Sequence, residues 1–360
     1  GQGVLSTPAI GPDGTVYVGS RENKLYALDG KTGERKWAFK TGAAALSPAI
    51  GPDGMVYVGS DTGEVHAVES VTGKETWSFD TGGQVSPPAV DDNGVVYLSF
   101  TRKSGDFKDD GRVVALDGAT GEQKWEFKTE GRASSPVIGK NGRIHLVIHM
   151  LIRDKICALD QNNGQPIWEQ GMGEESCTVP AIAADGALIF GSGNKKIHAL
   201  DGATGERRWT FATGAPVKSS PVIDENGTIH AASTDGKVYA VDAKTGIGKQ
   251  AFETEVRVSS LAIGKQGTLY LGSKDHDLRA VDAKTGEIQW EHPTPGHTLP
   301  PAISEGVVIV TTGNRLYAIA SGAPEPAGSP WPMFRQNARR SGQAPKRPFP
   351  GKGSAADNLP

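Results

Sequence analysis

Short apolar runs recur through most of the chain, and each is closed by a glycine-rich or acidic polar stretch. Runs such as Val16-Tyr17-Val18 and Leu25-Tyr26-Ala27-Leu28 are too short for helices and carry β-branched and aromatic side chains, which predicts strands. They show no clean alternation of apolar and polar residues, so both faces of these strands need cover. Aligned on itself, the chain has eight equivalent starts, Pro8-Ala9-Ile10, Pro48-Ala49-Ile50, Pro88-Ala89-Val90, Pro136-Val137-Ile138, Pro180-Ala181-Ile182, Pro221-Val222-Ile223, Leu261-Ala262-Ile263 and Pro301-Ala302-Ile303, spaced by 40 to 48 residues. Each start leads through a turn such as GPDG, a strand such as TVYVGS, a polar loop, a strand such as KLYALD, a DGKTG turn and an outer strand such as KWAFKTG. The reading is all-β, with four strands per unit.

A four-stranded antiparallel sheet cannot hide two apolar faces alone, so each unit needs a neighbour on either side. Radial closure provides those neighbours and leaves short, protected edges, whereas an open stack leaves two apolar end sheets in water. The prediction is an eight-bladed β-propeller over residues 1–322. The turns agree with it: Asp29, Asp117, Asp201, Asp242 and Asp282 each stand three residues before a Thr-Gly, the aspartate capping the turn and the glycine taking positive φ. Eight residues after that acidic position, which is Glu69 in the second unit and Asp160 in the fourth, come Trp37, Trp77, Trp125, Trp168, Trp209 and Trp290, with Gln250 as the exception in the sixth unit.

The stretches ALDGKTGERKW, ALDGATGEQKW, ALDGATGERRW and AVDAKTGEIQW resemble the tryptophan-docking repeat of the pyrroloquinoline-quinone-type (PQQ-like) propellers, and the likeness runs from residue 4 to about 320. The resemblance implies that each indole wedges between adjacent blades and stacks on a neighbouring peptide plane near the glycine. A buried indole brings a large contact area and one donor that must be satisfied, so the tryptophans are read as structural, not as a cofactor box. The eighth unit lacks both the Asp-Thr-Gly turn and the tryptophan after Arg315-Leu316-Tyr317-Ala318-Ile319. Its outer strand is expected either from residues upstream of GQGVLSTP or from docking of Trp331-Pro332-Met333-Phe334-Arg335 at the gap. Residues 323–342, containing WPMFRQNARRSG, resemble an aromatic clasp that flanks many such propellers. Residues 343–360 are polar and rich in proline and glycine, a composition that predicts disorder.

Charge adds little direction, since 38 basic and 41 acidic residues give a formal net charge of −3. Such a balance favours neither nucleic acid nor an anionic membrane as partner. No apolar run is long enough to span a bilayer, and the opening residues show no signal-peptide pattern. Two cysteines, Cys157 and Cys177, are compatible with a disulfide or with buried free thiols.

In a propeller the outer-to-inner loops and the second-to-third loops emerge on one face around the channel, which is the default binding face. Gln84, Arg132, Ser176, Arg257 and His297 stand four residues before the repeat's proline position, with Lys218 one place on. They are the candidate ligand residues, and their positive bias suits an anionic or polar ligand; the alternative is a set of solvated loop residues. Asp106, Asp109 and Asp110, in the long interruption SFTRKSGDFKDDGR, are weak calcium candidates whose spacing fits no EF-hand template. His145 and His149 lie four apart and share a strand face; such a pair can bind zinc, but with no third ligand in the pattern a packed or surface pair is the favoured reading.

The favoured reading is a non-catalytic, monomeric binding or scaffold propeller with no cofactor, engaging a protein or a polar ligand at the channel mouth. Family resemblance places such modules in the periplasm or outside the cell and connects them to outer-membrane assembly lipoproteins. One alternative is a PQQ-dependent quinoprotein dehydrogenase, which in the family holds the quinone over the channel with calcium, a general-base aspartate, a stacking tryptophan and often a pair of adjacent cysteines. This chain has no adjacent cysteines, and its seven tryptophans are absorbed by six docking positions and Trp331. A carbohydrate-binding module is the other alternative, for which the loops offer only Phe100 and Phe107.

Overall fold

The computed structural model describes residues 6–103, 109–139, 142–173, 176–254, 256–274, 277–304, 306–320 and 333. Blade 1 consists of Ala9–Ile10, Thr15–Ser20, Lys24–Asp29 and Arg35–Lys40, paired antiparallel in chain order. The same order builds blades 2 to 7, the last of which ends with Ile288–Pro293. Blade 8 has three described strands, Ala302–Ser304, Val307–Thr312 and Arg315–Ala320. The protein is therefore an eight-bladed, all-β propeller.

Burial falls from the axis outward, which explains the hydrophobic pattern. All six residues of the second strand are buried in blades 1, 5 and 7, whereas outer strands such as Arg207–Ala212 alternate between exposed and half-buried. The core is a set of inter-blade seams. Val137, Val147 and Ile156 of blade 4, Ile189 and Ile197 of blade 5 and Ile223 and Ile229 of blade 6 pack in one continuous cluster, and each fully buried aliphatic side chain of this kind contributes about 1.5–3 kcal/mol. Blade 8 meets blade 1 directly: Ala302 and Ile309 pack on Ile10 and Val16, and the Thr311 hydroxyl donates to the Ser6 carbonyl at 2.8 Å.

The tryptophans dock as expected. Trp37, Trp77, Trp125, Trp168 and Trp209 donate Nε1–H to the carbonyls of Ser70, Gly118, Gln161, Gly202 and Ala243 of the following blade, at 2.7 to 3.2 Å. A β-bulge in the third strand, between Ala27 and Leu28 in blade 1, directly follows the alanine opposite the indole and sets its aim. The indole lies so close to the next blade's turn glycine that a Cβ at Gly121 would sit 2.7 Å from the Trp77 ring. That glycine also has φ +76, so two independent constraints select it. The turn aspartate works as predicted, Asp29 Oδ1 accepting from the N–H groups of Lys31 and Thr32 at 2.9 Å. For Trp290 no acceptor stands among the described residues; the position equivalent to Ala243 in blade 8, Ser321, lies outside them.

Three expectations need correction. The interruption in blade 3 is largely a hairpin, its strands Val95–Lys103 and Asp109–Asp117 pairing as far as Lys103 and Asp109. Phe100 is consequently buried in the seam between blades 2 and 3 and offers no exposed aromatic surface, while Phe107 lies outside the described residues. Met333, the one described residue of the clasp, bridges Ala262 on the free inner edge of blade 7 and packs fully buried among Ile303, Val308 and Val310 of blade 8. At this residue the segment docks against an inner strand, not at the outer gap of blade 8; its other residues, and the tail, lie outside the described residues.

Candidate functional site

In an antiparallel blade the outer-to-inner and second-to-third connections leave from the same ends of the strands. A short pairing makes these connections equivalent: Ala45, Val85, Ala133, Cys177, Val217 and Thr298 each bridge the end of the second strand in their own blade and are buried. Gln84, Arg132, Ser176 and His297 immediately precede such a residue, and each is exposed. The connection into blade 6 has one extra residue, so Pro216 takes the equivalent place and Lys218 follows the paired Val217. Arg257, also exposed, precedes Val258 of blade 7, and its carbonyl accepts from Lys274 N–H at 3.0 Å. The six residues thus occupy six successive connections on one face, each in a separate blade. Burial, followed by the charge of Lys274, holds His297 below the ordinary histidine range, so the ring is neutral near pH 7.

The second-to-third loop of blade 4 adds a feature that the repeat pattern did not single out. Leu151 is fully exposed and Ile152 is 68% exposed, side by side at the loop tip. The loop base is fixed by the buried Asp154, whose Oδ2 faces His149 Nδ1 at 2.9 Å and accepts from Cys177 N–H at 2.8 Å. Arg132 pairs with His149 across the adjoining strands, which puts this cationic residue at the strand end from which the apolar loop leaves. The signal was present as the apolar run Met150-Leu151-Ile152 directly before Arg153-Asp154, which continues the strand pattern in sequence but not in the fold.

Those histidines do not form a pair. His145 is buried against Trp168 at 5.8 Å, where burial and then the Arg143 charge press its pKa down to about 3, while His149 turns to Asp154. Asp110 is bound by Arg112 Nη2 at 3.0 Å and Lys128 Nζ at 3.4 Å, and first of all the Arg112 hydrogen bond holds its carboxyl low. Asp106 and the Asp109 side chain lie outside the described residues. Cys157 and Cys177 are buried thiols in blade 4 and its exit, not joined in a disulfide; burial pushes both up to about 12, so neither is a nucleophile at neutral pH. Among the described residues no three Asp, Glu, His or Cys side chains gather as a metal site. Gln84, Arg132, Ser176, Lys218, Arg257 and His297 include three cations and no carboxylate, the wrong donor set for a calcium-held quinone.

Fold and seams together define a tryptophan-docked, eight-bladed propeller of the PQQ-like class. The family described as outer membrane protein assembly factor BamB matches residues 41–149 and 152–323, and the chain belongs to that family. No curated protein matches the chain. Among solved structures it resembles BamB from Moraxella catarrhalis, with TM-score 0.69 and 16% identity over 87% of this chain and 95% of that one. Sqt1 from Saccharomyces cerevisiae gives TM-score 0.74 and 12% identity over 88% and 95%. The quinohemoprotein alcohol dehydrogenase of Comamonas testosteroni gives TM-score 0.66 and 15% identity over 86% of this chain and 70% of that one. At such identities the likeness is one of fold. Among the described residues no helix is long and apolar enough to cross a membrane.

Proposed function

We propose that the chain is a non-catalytic scaffold of the periplasm or cell exterior that binds a protein partner, as a single ring, through the face carrying Gln84, Arg132, Ser176, Lys218, Arg257 and His297. The observation that carries this reading is the Leu151–Ile152 tip beside Arg132. Two adjacent aliphatic side chains held in water by a hydrogen-bonded loop base favour burial by a partner, and cationic neighbours give the contact orientation. The family description supports a component of outer-membrane protein assembly as that partner.

The test places a photo-crosslinking residue at position 151 in the source cell and identifies the adduct. The expected result is one dominant assembly-machinery partner, with the adduct falling at least tenfold when Arg132→Ala and Arg257→Ala are introduced and the melting temperature is unchanged. A crosslink that ignores both substitutions, or vigorous alcohol oxidation after adding pyrroloquinoline quinone and calcium, overturns the proposal.

A further inference from the structure

On the opposite face, the seam between blades 6 and 7 differs from the others. Where five seams hold a docked indole, blade 6 presents Gln250, and a cavity of about 510 Å³ opens there, lined among others by His230, Gln250, Gly267, Ala283 and Lys284. The seam between blades 4 and 5 is the fitting control. It too has a histidine, His145, where blades 1 to 3 have tyrosine, but it keeps Trp168, and the cavity lined by the equivalent His145, Gly186, Gly202 and Ala203 measures about 100 Å³. The missing indole is thus the main difference between a residual gap and a ligand-sized pocket.

Phe252 partly compensates. It lies over Gly286, the turn glycine that an indole would cover, and a Cβ there would be 2.6 Å from the phenyl ring. The pocket lies beside this contact and retains two unused acceptors. Ala283 is the counterpart of Ser70, Gly118, Gln161, Gly202 and Ala243, whose carbonyls accept from the docked indoles. No indole stands in this seam to donate to it. His230, only 2% exposed, directs Nε2 to Asp224 Oδ2 at 3.4 Å, which leaves Nδ1 as an acceptor without a partner. Gln266, on the pocket rim, has φ +69, a left-handed conformation that side chains other than glycine rarely adopt.

The geometry points to a second binding site: the seam between blades 6 and 7 takes a flat, N–H-bearing heteroaromatic ring of indole size, which sits between the blade faces and donates to Ala283 or His230. Its walls are the face of blade 6 around His230, Ala240 and Gln250 and two turns of blade 7, at Gln266–Gly267 and Ala283–Lys284, and a ring that brings its own donor replaces what Trp168 supplies two seams earlier. The site is independent of the partner-binding face proposed above.

Isothermal titration of the full chain with indole tests this, with benzofuran, the same shape without N–H, and N-acetyltryptophanamide as separate arms. Saturable one-site binding of indole is expected, with benzofuran at least tenfold weaker. Preference for N-acetyltryptophanamide over indole identifies a peptide side chain as the source of the ring, and the reverse identifies a free metabolite. Gln250→Trp is expected to weaken indole binding at least tenfold while melting no lower than wild type; His230→Tyr, which fills the pocket from the inner side, checks the result if the first variant folds poorly. No saturable binding, or equal binding by wild type and a folded Gln250→Trp protein, overturns the site; equal affinity for benzofuran overturns the donor requirement.

Discussion

The seams on either side of blades 5 and 6 share a histidine on the second strand and differ on the outer strand. Between blades 4 and 5, Trp168 lies tilted against His145 at 5.8 Å and donates to the Gly202 carbonyl at 3.2 Å. Between blades 6 and 7, Gln250 is exposed and Phe252 is drawn over the turn glycine. The ring closes in both places, so a single docking tryptophan is dispensable for closure. What it determines is whether the seam is solid or hollow. Each blade is held by its neighbours' apolar faces and by the backbone ladder, while the indole fills the outer part of the wedge where adjacent sheets diverge.

The strongest way to break this comparison is to remove Trp168. Trp168→Ala deletes a packed indole and strands the Gly202 carbonyl, and is expected to cost about 3–5 kcal/mol. Gln250→Ala, at the equivalent place, is expected within about 0.5 kcal/mol of wild type. Urea unfolding midpoints of the two variants check it, and similar losses in both would show that the indole is not what makes the seams differ.

Acid is expected to separate the seams next. His145 is buried neutral, with its folded pKa pressed to about 3, below an unfolded value near 6.5. Protonation is therefore easier in the unfolded chain. The contribution of this group is complete above about pH 6.5 and is lost progressively as pH falls towards 3, by at most about 1.4 kcal/mol per pH unit. His145→Tyr, which restores the residue found in blades 1 to 3, should flatten the melting temperature between pH 6.5 and 4. An unchanged acid slope would mean that His145 is hydrated and its seam looser than its burial indicates.

These seam differences show why the fold was legible in the sequence and the site only partly so. The period, the Asp-Thr-Gly turn and the tryptophan eight residues later are local and repeated, and each reappears as a hydrogen bond with a named partner, as at Asp29 and Trp77. The docking acceptor is set by the repeat itself, because it follows the turn aspartate of the next unit. Loop depth is not set that way. Phe100 stands in what reads as an insertion, yet the ladder continues past it and carries it into the core. Leu151 stands in a similar interruption and ends in water, because the strands of blade 4 stop at His149 and Lys155. Which residues reach the binding face depends on where pairing ends, and pairing is decided by contacts between segments that the repeat pattern does not record. Gln250 was visible as an exception, but that its seam stays hollow depends on Phe252, which covers Gly286 without filling the place an indole would take.

Filling the hollow seam should give a smaller change of opposite sign. Gln250→Trp is expected to raise stability by about 0.5–2 kcal/mol, the usual return for cavity filling, with Phe252 moving off Gly286. A melting temperature lower than wild type would show that Phe252 already makes the better contact and that an indole no longer fits.

The smallest effect concerns Asp224, which the hollow seam has and the solid one lacks, Gly139 standing in its place. Burial pushes this carboxyl up. The His230 contact at 3.4 Å and the N–H groups of Asn226 and Thr228, both at 2.8 Å, outweigh burial and hold it below the ordinary aspartate range. A depressed carboxyl contributes stability above its unfolded value, near pH 4, and loses it as pH falls through the folded value. Asp224→Asn should therefore leave the protein slightly less stable at pH 7 and indistinguishable from wild type near pH 2. The window matters more than the size, because the His145 contribution begins to fall near pH 6.5, whereas the Asp224 contribution falls only below about pH 4. If Asp224→Asn altered stability between pH 6.5 and 4, as His145→Tyr is expected to, the carboxyl would not be held low by its N–H donors and the His230 contact.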